Sequence, residues 1–223
     1  MMARLASLGL ALGGAAYAAV IVPDPAARWK AIAERLFSTV VQVHGDESQH
    51  AAVSSASGVL IGEGLAVTTL HAVAVPSGEK LVPMQQAQIQ VASGAPIDAR
   101  VMDSSAELDL AILVFPDKAT DLPAALLATE LPAEGELLIA MGTGDEAVAV
   151  MGVVVSHVSG EVFTLASKRA IDARFRGGPL FDDRGRLAGI LQVSEDGARA
   201  VSARAIQRML DLRALSRGAS RPR

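Results

Sequence analysis

The sequence contains no cysteine, which excludes disulfide bridges, a thiol nucleophile and cysteine-ligated metal sites. Aromatic residues make up only 3% of the chain, although 51% of its residues are hydrophobic. The core must therefore be filled mainly by leucine, valine, isoleucine and alanine, as expected of a globular chain and not of a disordered one. An excess of positive charge is also missing, because the formal net charge is -4. Nucleic acid is therefore not an expected partner.

Histidines are few and do not form a metal-binding pattern. His44, His50 and His157 are scattered along the chain, with no pair spaced by four residues and no carboxylate at ligand spacing. Metal sites usually draw their ligands from such clusters. We therefore expect neither a metal ion nor another cofactor.

The N-terminus has the pattern of a targeting segment. Arg4 precedes an uncharged apolar run at 5–22, and residues 16–18 read Ala-Tyr-Ala, the small-x-small form of a signal-peptidase site. The sequence predicts export to the periplasm or the extracellular space by a cleaved signal peptide. An uncleaved membrane anchor and a buried soluble helix remain alternatives, since the run has the minimum length for a span. A membrane is an expected partner only in the anchor case.

Beyond this segment, hydrophobic periodicity predicts one helix, many short strands and a second helix. The first helix covers 25–37, and the last covers 203–215. The predicted strands form two sets, at 40–44, 57–61, 65–69, 88–92, 97–102 and 108–115, and at 136–141, 148–157, 162–166, 187–193 and 198–202. Residues 116–132 contain prolines and are the candidate joint between the halves, and residues 216–223 form a basic flexible tail. Such spacing is typical of a barrel or a sandwich.

One segment resembles the active-site loop of trypsin-like serine proteases. Residues 173–180 read Ala-Arg-Phe-Arg-Gly-Gly-Pro-Leu, whereas the family loop reads Gly-x-Ser-Gly-Gly-Pro. The resemblance places Arg176 at the position of the nucleophilic serine. It places Arg174 where the family has a glycine whose N–H helps to form the oxyanion hole, and Phe175 and Gly177 complete this oxyanion loop.

Two further motifs support the resemblance and stand in the order of a chymotrypsin-like triad. His71 ends the stretch Ala-Val-Thr-Thr-Leu-His, similar to the family strand that carries the catalytic histidine. Asp109 lies in Glu-Leu-Asp-Leu-Ala-Ile-Leu, which resembles the Asp-Leu-Ala-Val-Leu motif of the bacterial HtrA (Deg) branch. Residues 57–61, 189–190 and 200–206 also resemble HtrA motifs, so the likeness covers about 25–215.

The resemblance implies an all-β fold of two six-stranded Greek-key β-barrels, with a short N-terminal helix and a C-terminal helix. The trypsin-like domain would span 23–215, with an N-terminal barrel at about 38–116 and a C-terminal barrel at about 133–203. We expect the protease domain alone, without an appended PDZ domain.

The resemblance also implies that peptidase chemistry fails at its first step. A histidine activates a serine by taking its proton, and an aspartate holds that histidine in the correct tautomer. With arginine at 176 there is no hydroxyl to deprotonate, so His71 and Asp109 would be a vestigial pair. The alternative is an active serine endopeptidase with an unrecognised nucleophile. Ser167 falls too early for that role, and Ser194 lacks the flanking glycines.

We therefore expect an inactive protease homologue that binds an extended peptide or an unfolded protein. The peptide would add as a strand along Leu191, Gln192, Val193 and Ser194, because such recognition needs backbone hydrogen bonds and no nucleophile. Arg176 would either form an ion pair with Asp109 or present a cation to a carboxylate of the partner. An interaction domain without peptide specificity is a third possibility.

Overall fold

The computed structural model describes residues 25–45, 55–62, 64–78, 80–91, 94–116, 122–144 and 148–219. The targeting segment predicted at the N-terminus lies outside these residues. Two α-helices flank the described chain, α1 at Pro25–Leu36 and α2 at Ala203–Ala219. A 3-10 turn at Phe37–Thr39 follows α1 and leads into the first strand. None of the helices among the described residues is long and apolar enough to cross a membrane.

The first half of the described chain closes into an antiparallel barrel. Its strands are β1 (Val40–Gly45), β2 (Ala56–Gly62), β3 (Leu65–Thr68), β6 (Ala87–Val91), β7 (Ile97–Ser105) and β8 (Leu110–Val114). Around the barrel they run β1-β2-β3-β8-β7-β6, with β6 pairing back to β1. Between β3 and β6 the chain forms a separate hairpin of β4 (Ala74–Ser77) and β5 (Lys80–Pro83).

The second half closes into another antiparallel barrel. Its strands are β9 (Leu137–Thr143), β10 (Val148–Ser159), β11 (Val162–Ala166), β12 (Pro179–Phe181), β13 (Leu187–Ser194) and β14 (Gly197–Ser202). They run β10-β11-β14-β13-β12-β9 around the barrel. In both barrels the third strand therefore pairs with the sixth, and the first with the fourth. The prediction of an all-β fold with two six-stranded Greek-key barrels and two flanking helices is confirmed.

Several predicted boundaries need correction. The strand patterns missed β4, β5 and β12, because each is only three or four residues long and contains a proline, within β4, at the end of β5 and at the start of β12. The strand predicted at 108–115 begins at Leu110, since the chain makes a turn at Asp109. Helix α2 continues to Ala219, so residues 216–219 are helical and do not belong to a flexible tail.

The apolar residues form three clusters: one inside each barrel, and one between the barrels. Strand β8 contributes to two of them, because Leu110 and Ile112 face the cluster between the barrels whereas Ala111 and Leu113 face the interior of the first barrel. This follows from the two-residue period of a strand. Strands buried on both sides read as continuous apolar runs, and this accounts for the Leu-Ala-Ile-Leu-Val sequence of β8.

Both helices pack against the cluster between the barrels. Ile32 and Leu36 of α1 and Ile206 of α2 are buried members of it. Two arginines also hold α1 to the turn after β12: the Arg28 Nη2 donates to the Asp183 Oδ2 over 3.0 Å, and Arg35 donates to the carbonyl of Arg184. The two helices thus pack over the apolar cluster between the barrels.

A substitution in the shared cluster should destabilise both barrels together. Phe181 is completely buried in it, so Phe181→Ala should lower the free energy of unfolding by about 3–5 kcal/mol through lost contacts and a cavity. Urea unfolding followed by circular dichroism and by Trp29 fluorescence should show one shared transition. Val150→Ala, at a half-exposed strand position, should have little effect. Two separate transitions in the Phe181 variant would contradict a shared core.

Candidate active site

His71 and Asp109 lie at the same edge of the first barrel and form a hydrogen-bonded pair. One follows the end of a strand, and the other precedes the start of its antiparallel neighbour. His71 lies in the 3-10 turn after β3, and Asp109 directly precedes β8, which pairs with β3. The His71 Nδ1 lies 2.7 Å from the Asp109 Oδ1, and the His71 backbone N–H donates to the same oxygen over 3.0 Å. The imidazole is largely exposed and the carboxylate largely buried. The pair therefore presents the opposite nitrogen, Nε2, to solvent.

The chain is constrained at Asp109 by a side chain from the second barrel. Asp109 has a φ of 46°, in the left-handed region that aspartate tolerates better than most residues. The Gln192 Nε2 donates to the carbonyls of Leu108 (2.5 Å) and Asp109 (3.2 Å). Arg199 in turn donates its Nε to the Gln192 Oε1. This buried amide thus connects β13 to the turn that aims the carboxylate at His71.

The loop that contains Arg174 and Arg176 lies between the barrels. A buried hydroxyl, that of Ser57 on β2, donates to the Arg174 carbonyl over 2.6 Å and accepts from the Thr143 N–H over 2.7 Å. The Ser57 N–H donates to the Arg176 carbonyl over 2.8 Å. Because Ser57 belongs to the first barrel and Thr143 to the second, these bonds fix the loop to both.

Gly177 allows the loop to approach the histidine strand closely. Its φ is +75°, and a Cβ there would overlap the Ser57 carbonyl and lie 2.6 Å from the Thr68 Oγ1 and 3.3 Å from the Thr69 nitrogen. Only glycine combines this backbone conformation with the required space. Since His71 follows Thr69 by two residues, the loop lies beside the His71–Asp109 pair.

Every backbone N–H from 174 to 178 already has a partner within the protein. The acceptors are, in order, the Asp172 Oδ1 at 2.9 Å and the carbonyls of Asp172, Ala173, Leu191 and Phe175 at 3.2, 3.0, 2.8 and 3.0 Å. An oxyanion hole instead requires N–H groups that converge on an empty position. In this structure the loop offers no such position, because residues 173–175 form a 3-10 turn that consumes the donors.

Asp172 closes that turn and is held by Arg174. The Asp172 carboxylate caps the turn, while the Arg174 Nη2 donates to its Oδ2 over 2.7 Å. The Arg174 side-chain hydrogen bond lowers the pKa of Asp172, with burial opposing the shift and the Arg174 N–H adding to it. The carboxylate therefore stays charged at neutral pH and keeps the Arg174 N–H engaged.

The expected ion pair between Arg176 and Asp109 is wrong. Asp109 is paired with His71, and no described residue forms an ion pair or a hydrogen bond with the Arg176 guanidinium. The backbone explains the difference: Arg176 is fixed by its N–H to Ala173 and by its carbonyl to Ser57. Its side chain is partly buried.

Strand β13 has one open side where it passes the loop. Leu191 donates to the Gly178 carbonyl and accepts from the Gly177 N–H, so its backbone groups face β12. By the two-residue period the N–H and C=O of Val193 point to the same side. Pairing with β12 ends at Ile190, and the described chain places no strand beside Val193 there. Its other neighbour, β14, pairs with β13 as far as Ser194.

The four residues predicted to bind peptide therefore differ in surroundings. Leu191 is buried and its backbone is used by the loop, and the side chain of Gln192 supports Asp109. Val193 is half-buried with an open backbone, and Ser194 is exposed at the hairpin end.

Sequence reasoning missed two residues that shape the site, Asp172 and Ser57. The Asp-x-Arg spacing of 172 and 174 was a visible signal, because an aspartate readily caps the N–H two residues ahead. Ser57 begins one of the HtrA-like motifs, but its role in holding the loop had no local signal, since its partners are more than eighty residues away. Across the ranges that the structure covers, no group of three histidines or acidic residues could hold a metal ion.

Comparisons with known proteins agree with this geometry. The family called trypsin-like peptidase domain matches residues 56–190, more than half of the chain. The chain belongs to this trypsin-like peptidase domain family.

The similarity to an HtrA-type protein rests on a shorter stretch. Serine protease HTR4 of Bos taurus is 37% identical over 99 residues, which cover 43% of this chain and 18% of that protein. The chain thus aligns with less than a fifth of that relative, but the match supports the HtrA-like assignment made from the motifs.

Solved structures confirm the fold. The Rv3671c protease from M. tuberculosis in its active form has a TM-score of 0.69 at 19% identity, covering 85% of this chain and 86% of that one. An inactive form of the Rv3671c protease gives 0.64 at 19% identity, covering 85% and 95%. At this identity the likeness is one of fold.

The bond between Asp172 and the Arg174 N–H should weaken in acid. Since the pKa of Asp172 is lowered in the folded protein, its contribution is present at neutral pH and is lost as pH falls through that lowered value. The Arg174 amide signal in NMR should therefore titrate below the ordinary range of an aspartate. In Arg174→Ala the midpoint should move up, because the first cause of the shift is removed. An unchanged midpoint in that variant would contradict the assignment.

Proposed function

We propose that this protein is a catalytically inactive HtrA-like domain that binds an extended peptide, or a segment of an unfolded protein, along β13. The observation that carries the proposal is the open backbone of Val193 beside a loop without a nucleophile. An extended chain placed there would complete the sheet edge with backbone hydrogen bonds.

Two features of the loop support the absence of peptidase activity. Arg176 has no oxygen that could attack a carbonyl, and the N–H groups of Arg174 and Arg176 are already bonded within the protein. Acyl transfer needs both a nucleophile and donors for the developing negative charge. Loss of the nucleophile or loss of the oxyanion donors would each slow peptide hydrolysis strongly.

Export remains part of the proposal and rests on residues 1–22, which have the pattern of a signal peptide or an anchor. We propose a periplasmic or extracellular domain. Its partner in that compartment would be an extended or unfolded chain, and a membrane only if the segment is not cleaved.

One observation favours the alternative of an active serine endopeptidase. The His71–Asp109 hydrogen bond has the geometry of a working base and its orienting acid. The hydroxyl groups of Ser57, Thr68 and Thr69 lie near the loop, but all three residues are completely buried. Those of Ser57 and Thr68 are also hydrogen-bonded to backbone carbonyls, and the Thr143 hydroxyl is hydrogen-bonded to that of Ser57. The three buried hydroxyls cannot reach a substrate in this conformation.

Activity-based labelling separates the two candidates. A fluorophosphonate probe should not label the parent protein, because no nucleophile stands at 176. Arg176→Ser alone should react at least about a hundredfold more slowly than Arg176→Ser combined with Arg174→Gly, since only the glycine frees the loop to open an oxyanion donor. Labelling and mass spectrometry of the three proteins provide the measurement. A labelled serine in the parent protein, together with cleavage of β-casein, would contradict the proposal that the protein is catalytically inactive.

Peptide docking is tested at Val193. Val193→Pro removes the N–H that faces the open side, whereas the bonds to β14 come from the neighbouring residues. Binding of fluorescein-labelled β-casein, an unstructured protein, should weaken about tenfold or more in fluorescence anisotropy. Val193→Ala is the matched control, because it shortens the side chain but keeps the N–H. Both variants should melt within a few degrees of the parent. Equal binding by the proline and alanine variants would contradict docking on β13.

A further inference from the structure

The open side of β13 dictates which end of a bound peptide approaches the loop. Strand β12 runs antiparallel to β13, pairing Pro179 with Ile190 and Leu180 with Gly189. A peptide that adds beside Val193 in the antiparallel sense lies on the same side of β13 as β12 and runs in the same direction. Its C-terminal end therefore points at the start of β12, where residues 176–178 lie.

The sheet edge is closed at that point. The Gly177 N–H and the Gly178 carbonyl occupy the backbone groups of Leu191 at 2.8 and 2.9 Å. A bound strand can pair with Val193 but cannot continue to Leu191. A peptide that ends there fits the edge as it stands, whereas a longer chain must turn out of the sheet.

Arg176 is the charged group at this closed end. It precedes Gly177, its backbone is fixed at both sides, and its side chain is partly buried. Within the described part of the chain its guanidinium has no hydrogen-bond or ion-pair partner. A guanidinium without a partner favours an anion, and its planar fork matches a carboxylate in two parallel hydrogen bonds.

Two carboxylates of described residues beside the loop already have partners. Asp172 binds the Arg174 guanidinium and N–H, and Asp109 binds His71. The two arginines of the loop thus differ: the charge of Arg174 is compensated by Asp172, whereas no described residue compensates that of Arg176. The guanidinium of Arg176 is therefore available to the carboxylate of a ligand.

We propose that Arg176 binds the free C-terminal carboxylate of a peptide docked on β13. This inference rests on the proposed function and specifies its ligand class, peptides with a free C-terminus. The position that holds a nucleophile in a protease then holds a cation that recognises a chain end. Backbone pairing with Val193 supplies the docking, and Arg176 supplies the preference for a terminus over an internal segment.

Two matched peptide libraries test the proposal. Both contain fluorescein-labelled hexapeptides randomised at the last four positions, one with a free C-terminal acid and the other with a C-terminal amide. The full-length protein should retain the acid library about tenfold more strongly, since a charge-assisted bidentate contact is lost in the amide. Arg176→Ala should bind both libraries equally, and Arg176→Lys should keep only part of the preference. Arg204→Ala, which removes an exposed charge from α2, should behave like the parent.

The outcomes distinguish this inference from the proposed function. Equal retention of both libraries by the parent would overturn carboxylate recognition but leave docking on β13 intact. Retention of amide peptides through an acidic side chain, lost in Arg176→Ala, would equally overturn recognition of the terminus. Failure of both libraries to bind would overturn the proposed function and this inference with it. A preference for the acid that survives in Arg176→Ala would assign the carboxylate to another group and contradict the role of Arg176.

Discussion

The apolar layer between the barrels is the constraint on which the whole site depends. It packs Val67 and Leu110 of the first barrel against Met141 and Phe181 of the second. Strand β3 ends beside this layer and leads to His71, β8 begins there after Asp109, and β12 begins there after the loop at 173–178. Packing of apolar faces therefore gathers polar groups that are distant in the sequence. The hydrogen bonds of Ser57 then fix the loop against the first barrel.

Much of the fold could be predicted because the two-residue period of strands and the longer period of helices are both visible in the sequence. Alternating apolar residues separated by turn residues indicate short strands, and the order of three motifs indicated which fold they build. Strand β12 escaped detection because Pro179 and the preceding glycines read as a turn, and its pairing comes from partners far along the chain. The His71–Asp109 contact followed from the motifs. The closed conformation of the loop could not be predicted, because it depends on which acceptor each backbone N–H finds. The local sequence indicates only one of these acceptors, the Asp172 carboxylate that binds the Arg174 N–H.

The two arginines of the loop show how neighbouring substitutions can act in different ways. Arg174 lies in a 3-10 turn and forms an ion pair with Asp172, which helps to keep its own N–H inside the protein. Arg176 is held by its backbone, and its guanidinium stays uncompensated among the described residues. Arg174 therefore acts mainly on the backbone of the loop, through Asp172 and its own N–H. Arg176 instead contributes a side chain whose charge no described residue neutralises.

The way each barrel closes determines which residues an expressed fragment of this protein must include. The matched family region, 56–190, begins after β1 and ends before β14. Strand β1 joins β2 to β6, and β14 joins β11 to β13. A fragment trimmed to the family limits would lose the closing strand of both barrels and expose unpaired edges that invite aggregation. The residues on either side of the matched region are thus needed to complete both barrels.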